Sequence, residues 1–291
     1  MTTSSETIIV TGAKGQLGNA FKEEVEKITG FPYFFIFTDV DELDICNTEQ
    51  VDNTFQIHKP KCLINCAAYT AVDKAEEDVQ NAYKLNEQGP EVLSQVCKKY
   101  GTKLIHISTD YVFDGNAHIP YKEDAQVNPQ SIYGKSKLAG EEKVLASGVG
   151  MIIRTSWLYS TTGNNFVKTI IRNAEAKPKL NVVFDQIGTP TYANDLAKAI
   201  LAIISKEQEN FKPEIFHFSN EGVCSWYDFA EEIVRLGNFN CKIIPIESSE
   251  FPSKVKRPYY SVLNKKKIRN TYNVETPFWI DSLLDCITRL I

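Results

Sequence analysis

Tyr133 and Lys137 put a phenol and an ammonium four residues apart, ahead of the helix-favouring run Leu138 to Leu145. On a helix, positions i and i+4 share a face, so both polar ends can enter one cleft. A phenol with an ordinary pKa near ~10 exchanges protons poorly at neutral pH. A neighbouring cation favours the phenolate and brings the group closer to useful proton transfer. A surface pair on an amphipathic helix would show the same spacing, so the surrounding elements have to decide.

A second chemical signal lies near the amino terminus. The segment Gly12-Ala13-Lys14-Gly15-Gln16-Leu17-Gly18 joins a β-rich run to a helical one. Glycine permits a tight turn and a close backbone approach, and a helix N-terminus offers unpaired N–H groups and partial positive charge to a pyrophosphate. An ordinary strand-to-helix turn can carry such glycines, but this one sits at the first strand–helix junction, where a dinucleotide site needs it. Gly12, Gly15, Gln16, Leu17 and Gly18 are therefore cofactor candidates. Asp39 follows the second strand, about twenty residues beyond the last glycine, where a carboxylate can accept the adenosine ribose hydroxyls and repel a 2′-phosphate. With Asp41 close by and no arginine, this favours NADH over NADPH. Asp44 and Ile45 are candidates to flank the adenine, an assignment that spacing alone does not make.

The elements that must position these groups alternate. Thr7 to Thr11, Tyr33 to Thr38, Cys62 to Cys66, Lys103 to Ser108 and Met151 to Ser156 read as strands. Helical patterns separate them at Leu17 to Ile28, Glu49 to Lys59, Val72 to Lys84, Glu87 to Tyr100 and the Tyr133 run. Such alternation predicts an α/β, Rossmann-type, doubly wound parallel sheet with right-handed crossovers. After Trp157 the pattern loosens: helices are expected at Asn165 to Ala174 and Ala193 to Ser205, and a late strand at Glu214 to Ser219. A further helix starts at Ser225, with Asp228 completing a capping box. Pro245 to Asn264 reads as irregular chain that caps the carboxyl ends of the strands. Residues 1–157 are thus expected to form a dinucleotide-binding domain to which the chain returns at about 191–220. Residues 158–190 and 221–291 are expected to form a smaller, mostly C-terminal substrate-binding domain.

Composition narrows the function classes. The chain has 291 residues, long enough for a sizeable core, and a formal charge of -5 with no long basic stretch. Lys265-Lys266-Lys267 with Arg269 reads as a solvated helix face, not a nucleic-acid patch. The seven cysteines form no Cys-x-x-Cys pair and lie mostly in apolar runs, as expected of reduced, buried thiols in a cytoplasmic protein. No leader peptide or membrane span is read, and the four scattered histidines give no metal site.

With these pieces in order, the chain resembles the extended short-chain dehydrogenase/reductase superfamily, and within it the dTDP-4-dehydrorhamnose reductase family. The resemblance covers nearly the whole length. It rests on Gly12 to Gly18, Asn65 to Glu76, Ser108 to Gly115, Tyr133 to Glu141, Arg154 to Tyr159, Gly163 to Phe166, Asp185 to Thr191, and Arg257-Pro258 with Ser261. It implies that Gly15, Gln16 and Leu17 contact the cofactor diphosphate and that Ala68, Tyr69 and Thr70 line its path. Thr109 would hydrogen-bond the substrate carbonyl and Tyr133 would donate the proton. Lys137 would hold the nicotinamide ribose and lower the tyrosine pKa. Asp110 and Trp157 would contact the dTDP-sugar, with Asn165 and Arg257 candidates for its diphosphate. Relatives of this kind use NADH or NADPH, some with a metal-bridged dimer, so magnesium and the choice of monomer or homodimer stay open.

Two rival readings remain. Dehydratases of the superfamily place an Asp-Glu pair after the threonine, whereas this chain reads Thr109-Asp110-Tyr111, which favours simple reduction over dehydration; an epimerase is a further relative. A non-catalytic regulatory subunit similar to the methionine adenosyltransferase β subunit shares the architecture and can keep the same residues.

Overall fold

The computed structural model describes residues 6–206, 211–251 and 253–291. The leader reading of the first residues falls largely outside them. Strand β1 (Glu6–Thr11) leads through the glycine loop into α1 (Gln16–Lys27), then β2 (Tyr33–Thr38), α2 (Thr48–His58) and β3 (Cys62–Asn65). Short helices α3 (Val72–Ala75) and α4 (Val79–Tyr83) precede α5 (Gly89–Tyr100), and β4 (Lys103–Thr109), α6 (Ile132–Ser147) and β5 (Gly150–Thr155) follow. With a later strand, these build a six-stranded parallel sheet in the order β2-β1-β3-β4-β5-β10, where β10 is Ile215–His217. The chain leaves β1 for one flank and returns to β3 on the other. That reversal opens a crevice at the carboxyl ends of β1 and β3.

The strands are apolar on both faces because helices cover both. Ile8, Val10, Ile64 and Ile105 face a layer containing Leu17 and Phe21 of α1 and Leu196 and Ile200 of the helix Ala193–Lys206. Ile9, Leu63, Leu104 and Ile152 face Val51 and Phe55 of α2, Leu93 of α5 and Val144 of α6. This two-sided burial produces continuous hydrophobic runs instead of alternation.

Residues 72–100 are not the two helices expected. Lys84–Gln88 forms a π-helical stretch that joins α4 to α5, with Pro90 just inside α5. Proline lacks an N–H and crowds the carbonyl four residues back, which is that of Asn86, so a wider turn there relieves the conflict. Asn86 then meets α6 closely: a Cβ on Gly140 would lie 2.0 Å from the Asn86 carbonyl oxygen. Asn86 Nδ2 also donates to Ser136 Oγ at 3.0 Å. The bulge and Gly140 together let α6 seat deeply.

Beyond β5, short β6 (Leu158–Tyr159), α7 (Phe166–Ala176), β7 (Lys179–Val183), β8 (Ile187–Gly188) and β9 (Thr191–Tyr192) lead into α8 (Ala193–Lys206). After β10 come β11 (Cys224–Ser225), α9 (Trp226–Leu236), β12 (Lys242–Ile246), α10 (Lys266–Tyr272) and α11 (Trp279–Leu290). A separate core forms here from Val167, Ile170, Phe229, Ile233, Trp279 and Leu283. The capping box of Ser225 and Asp228 is present, with the Asp228 carboxylate accepting from the Ser225 backbone N–H at 2.8 Å.

The basic run is a solvated face only in part, since Lys266 and Arg269 are exposed while two of its lysines turn to backbone carbonyls. Lys265 is buried and donates to the Asn220 carbonyl at 3.2 Å, Lys267 donates to the Ile215 carbonyl at 2.7 Å, and Arg269 pairs with Glu221. Among the described residues the cysteines are free thiols, and no helix is long and apolar enough to cross a membrane.

Candidate active site

The crevice above β1, β3 and β4 is a cleft of about 990 Å³ that runs from the glycine loop to Arg257. Its wall includes Gly12, Gly15, Gln16, Leu17, Asp39, Asp44, Ile45, Ala68 and Thr70 at one end. Thr109, Asp110, Tyr133, Lys137, Trp157, Asn165 and Arg257 complete it. Two of the residues expected there are not on the wall. The Tyr69 hydroxyl bonds Asp78 at 3.0 Å and its N–H bonds the Asn86 side chain at 2.8 Å. Gly18 is inside α1, where a Cβ would lie 2.4 Å from the Gly12 carbonyl oxygen.

The three glycines therefore serve different ends. Gly12 has φ +67° and sits so close to the end of β3 that a Cβ would be 2.6 Å from the Ala67 nitrogen. Gly12 and Gly18 allow the loop to pack on the sheet and the helix to pack on the loop. Gly15 is the residue before α1 and lines the cleft, and a Cβ there would meet only the Gly12 carbonyl oxygen, at 3.2 Å. The first turn of α1 thus presents its backbone N–H groups to the cleft. Asp39 accepts the Lys14 backbone N–H at 2.8 Å, which holds its carboxylate at the rim.

At the other end, α6 enters on Ser131, whose hydroxyl accepts the Gly134 N–H at 3.1 Å. The buried Arg154 on β5 pins the same helix through Glu141, with Nη2–Oε2 of 2.6 Å and Nε–Oε1 of 2.9 Å. Tyr133 and Lys137 are carried on that anchored helix. Thr109, at the end of β4, donates to Asp110 Oδ1 at 2.9 Å. Ser108 Oγ and Asp110 Oδ2 are buried with no hydrogen-bond partner among the described residues, although both residues line the cleft. Orphaned polar atoms of this kind fit a site built to receive a polar ligand.

Electrostatics follow burial. Asp110 is pushed up to about 7, chiefly by desolvation, and Lys137 is brought down to about 8 by the same cause, against Glu141 and Cys66. Burial also raises the Tyr133 phenol above its ordinary value; a hydrogen bond with Thr109 acts against this, and Asp110 and Tyr111 add to it. Burial is the dominant influence on the phenol in this geometry. Lys137 Nζ donates to the Ile107 carbonyl at 2.6 Å, and His106 Nε2 lies 3.4 Å away.

Several wall residues carry no sequence signal of their own. Trp226, the first residue of α9, stacks on Trp157 with ring centroids 3.6 Å apart and planes 9° apart. Trp157 itself holds φ at +48°, a left-handed backbone that bulky residues rarely adopt, and lines the cleft. Lys14, inside the glycine loop, brings a cation paired with Asp41 to the rim that bears Asp39. Asn165 caps α7 through Oδ1, while its Nδ2 donates to Gln16 Oε1 at 3.0 Å, tying the glycine loop to the second core. No cluster of three His, Cys, Asp or Glu side chains among the described residues could hold a metal ion.

Known proteins are similar to this chain over nearly its whole length. The family described as RmlD substrate binding domain matches residues 6–291. The spore coat polysaccharide biosynthesis protein SpsK of Bacillus subtilis is 38% identical, over 95% of each chain. A dTDP-4-dehydrorhamnose reductase structure from Clostridium acetobutylicum is 45% identical, with a TM-score of 0.92 over 98% of this chain and 99% of the other. The Bacillus anthracis dTDP-4-dehydrorhamnose reductase, solved in complex with NADP, is 38% identical, also with a TM-score of 0.92 over 98% and 99%.

Proposed function

The chain belongs to the RmlD substrate binding domain family, and we propose that it reduces the C4 keto group of dTDP-4-dehydro-L-rhamnose to dTDP-L-rhamnose. The observation that carries this reading is the single cleft joining the glycine loop to Thr109, Tyr133 and Lys137. A bound NADH or NADPH supplies the hydride. The α1 N-terminus with Gly15, Gln16 and Leu17 suits its diphosphate, and Lys137 suits the nicotinamide ribose. Asp39 favours NADH, with Lys14 at the same rim tempering that preference for an unphosphorylated ribose.

As hydride reaches C4, negative charge grows on the carbonyl oxygen. The Thr109 hydroxyl, turned from Asp110 Oδ1 by the incoming substrate, would donate a hydrogen bond to that oxygen, and Tyr133 transfers its proton to it. Desolvation at the half-buried Tyr133 keeps the phenol protonated before the reaction, as a proton donor requires. Asp110 and the Trp157–Trp226 stack hold the sugar nucleotide, and Arg257 pairs with its diphosphate. Residues 1–157 with about 191–220 form the dinucleotide-binding part in this reading. Residues 158–190 and 221–291 form the substrate-binding part. The enzyme would act in the cytoplasm as a monomer or homodimer, supplying an activated sugar for polysaccharide. No step is assigned to magnesium.

The test is a panel of 4-keto sugar nucleotides with NADH and NADPH, following the loss of reduced nicotinamide absorbance. Tyr133→Phe is expected to lower turnover by roughly 10²-fold or more while cofactor binding stays near wild type. Near-normal turnover in that variant would remove the tyrosine from its role. Absence of nicotinamide oxidation with every sugar would favour a non-catalytic binding protein.

A further inference from the structure

Beneath Lys137, the ends of β1, β3 and β4 carry a line of buried polar side chains: Thr11, Asn65 and His106. Thr11 Oγ1 donates to Asn65 Oδ1 at 2.7 Å, and the Ala67 backbone N–H reaches the same oxygen at 3.1 Å. A backbone N–H can only donate, so this contact fixes which end of the Asn65 amide is oxygen. The amide nitrogen then faces His106 Nδ1 at 3.0 Å and must donate to it. Burial and the nearby Lys137 charge hold the His106 pKa well below its ordinary 6.5, so the ring is neutral. A neutral imidazole that accepts at Nδ1 carries its proton on Nε2.

That Nε2–H lies 3.4 Å from Lys137 Nζ. Against an ammonium, two donors face each other; against an amine, Nε2–H finds a lone pair. We propose that His106, locked in its Nε2–H tautomer by Asn65, is a positioning residue that keeps the Lys137 proton labile. The lysine then titrates near neutral pH instead of remaining a permanent cation. After Tyr133 has lost its proton to the product oxygen, the Lys137 ammonium passes one to the phenolate. The resulting amine accepts from His106 Nε2–H until a proton from bulk water restores the ammonium. The other groups facing Lys137 are the Cys66 thiol and Glu141, which is engaged by Arg154; Tyr133, four residues earlier on the same helix, lines the same cleft. The Ile107 carbonyl on β4 accepts from Nζ in either protonation state.

The proposal rests on Lys137 serving Tyr133 in the reductase reading. Its test separates the two, because the first readouts need no turnover. Protein labelled with ¹⁵N in histidine and lysine, without cofactor or substrate, is expected to show His106 protonated at Nε2 and bare at Nδ1. An Nδ1–H tautomer, or an imidazolium, overturns the proposal. Asn65→Asp offers a carboxylate oxygen to Nδ1, reverses the tautomer and turns a bare Nε2 toward Lys137. The Lys137 titration, read from its side-chain ¹⁵N shift, is then expected to rise by about one pH unit or more. The descending limb of the kcat/KM profile should move upward with it. An unchanged Lys137 titration in folded Asn65→Asp overturns the proposal, whereas a wrong substrate assignment would leave both titrations intact.

Discussion

Arg257 donates from Nη2 to Asp73 Oδ2 across 2.7 Å, fastening the chain before α10 to helix α3 at the mouth of the cleft. A second ion pair, Lys254 with Glu77, fastens the same stretch. Arg257 is also 3.4 Å from the Tyr111 hydroxyl. The guanidinium proposed to hold the substrate diphosphate is thus matched to a protein carboxylate, with which the diphosphate must compete.

Asp73→Asn is therefore expected to lower KM for the sugar nucleotide by a few fold with kcat nearly unchanged. Arg257→Ala should raise KM by roughly tenfold, the loss of one charge-assisted contact of about 1.4 kcal/mol. Steady-state kinetics on both variants checks this. Equal effects on kcat and KM would show that the pair shapes the fold and not binding.

Both side chains of the Arg154–Glu141 pair are almost fully buried, at 2% and 1% exposure. Removing one partner strands a charge, so Glu141→Gln should destabilise the protein by roughly 3–5 kcal/mol. Replacing both by apolar residues of similar volume should recover most of that loss. Urea unfolding of the single and double variants measures it. Activity in the double variant then reports whether the pair also sets the angle at which α6 presents Tyr133 and Lys137.

How far these contacts were legible in the sequence depends on their range. The strands of the large sheet announce themselves because burial on both faces demands unbroken apolar runs such as Thr7 to Thr11. The capping box at Ser225 is local and was equally plain. Two-residue strands such as β8 and β9 are too short to carry a period. The π-helical stretch arises from a conflict between Pro90 and Asn86 that spacing does not display. Lys265 looked solvated because a charge run carries no mark of the carbonyls that will surround it. Within the site, Gly15, Thr109, Tyr133 and Lys137 stood in recognisable segments. Trp226 reaches the cleft only through the packing of α9, and His106 matters only through the hydrogen bonds of Asn65.

Asp110 makes stability depend on pH. Its carboxyl ionises at about 7 in the folded chain against an ordinary 3.8, so folding takes up a proton between those values. The stability it lends is complete below 3.8 and is lost as pH rises through about 7. Asp110→Asn should remove that descent. The difference in unfolding free energy between variant and wild type is expected to move in favour of the variant by roughly 1–3 kcal/mol from pH 4 to pH 8. His217, held down to about 3 by burial, contributes the opposite slope in both proteins and cancels in that difference. Denaturant titrations across the range measure it, and parallel curves would show that Asp110 ionises freely in the folded state.

Gly188 supports the aromatic wall from behind. A Cβ there would lie 2.5 Å from the Trp157 ring and 2.7 Å from Ser261 Oγ, and an indole ring stacked on Trp226 gives way less readily than a flexible chain end would. Gly188→Ala should therefore displace Trp157 from Trp226, at a cost of roughly 1–3 kcal/mol in stability. Near-UV circular dichroism should lose the signal of the stacked pair. KM for the sugar nucleotide should rise more than kcat falls, because the displaced ring belongs to the wall of the cleft and not to the proton path. If stability falls while KM holds, the indole pair is packing for the second core and the sugar nucleotide is gripped elsewhere.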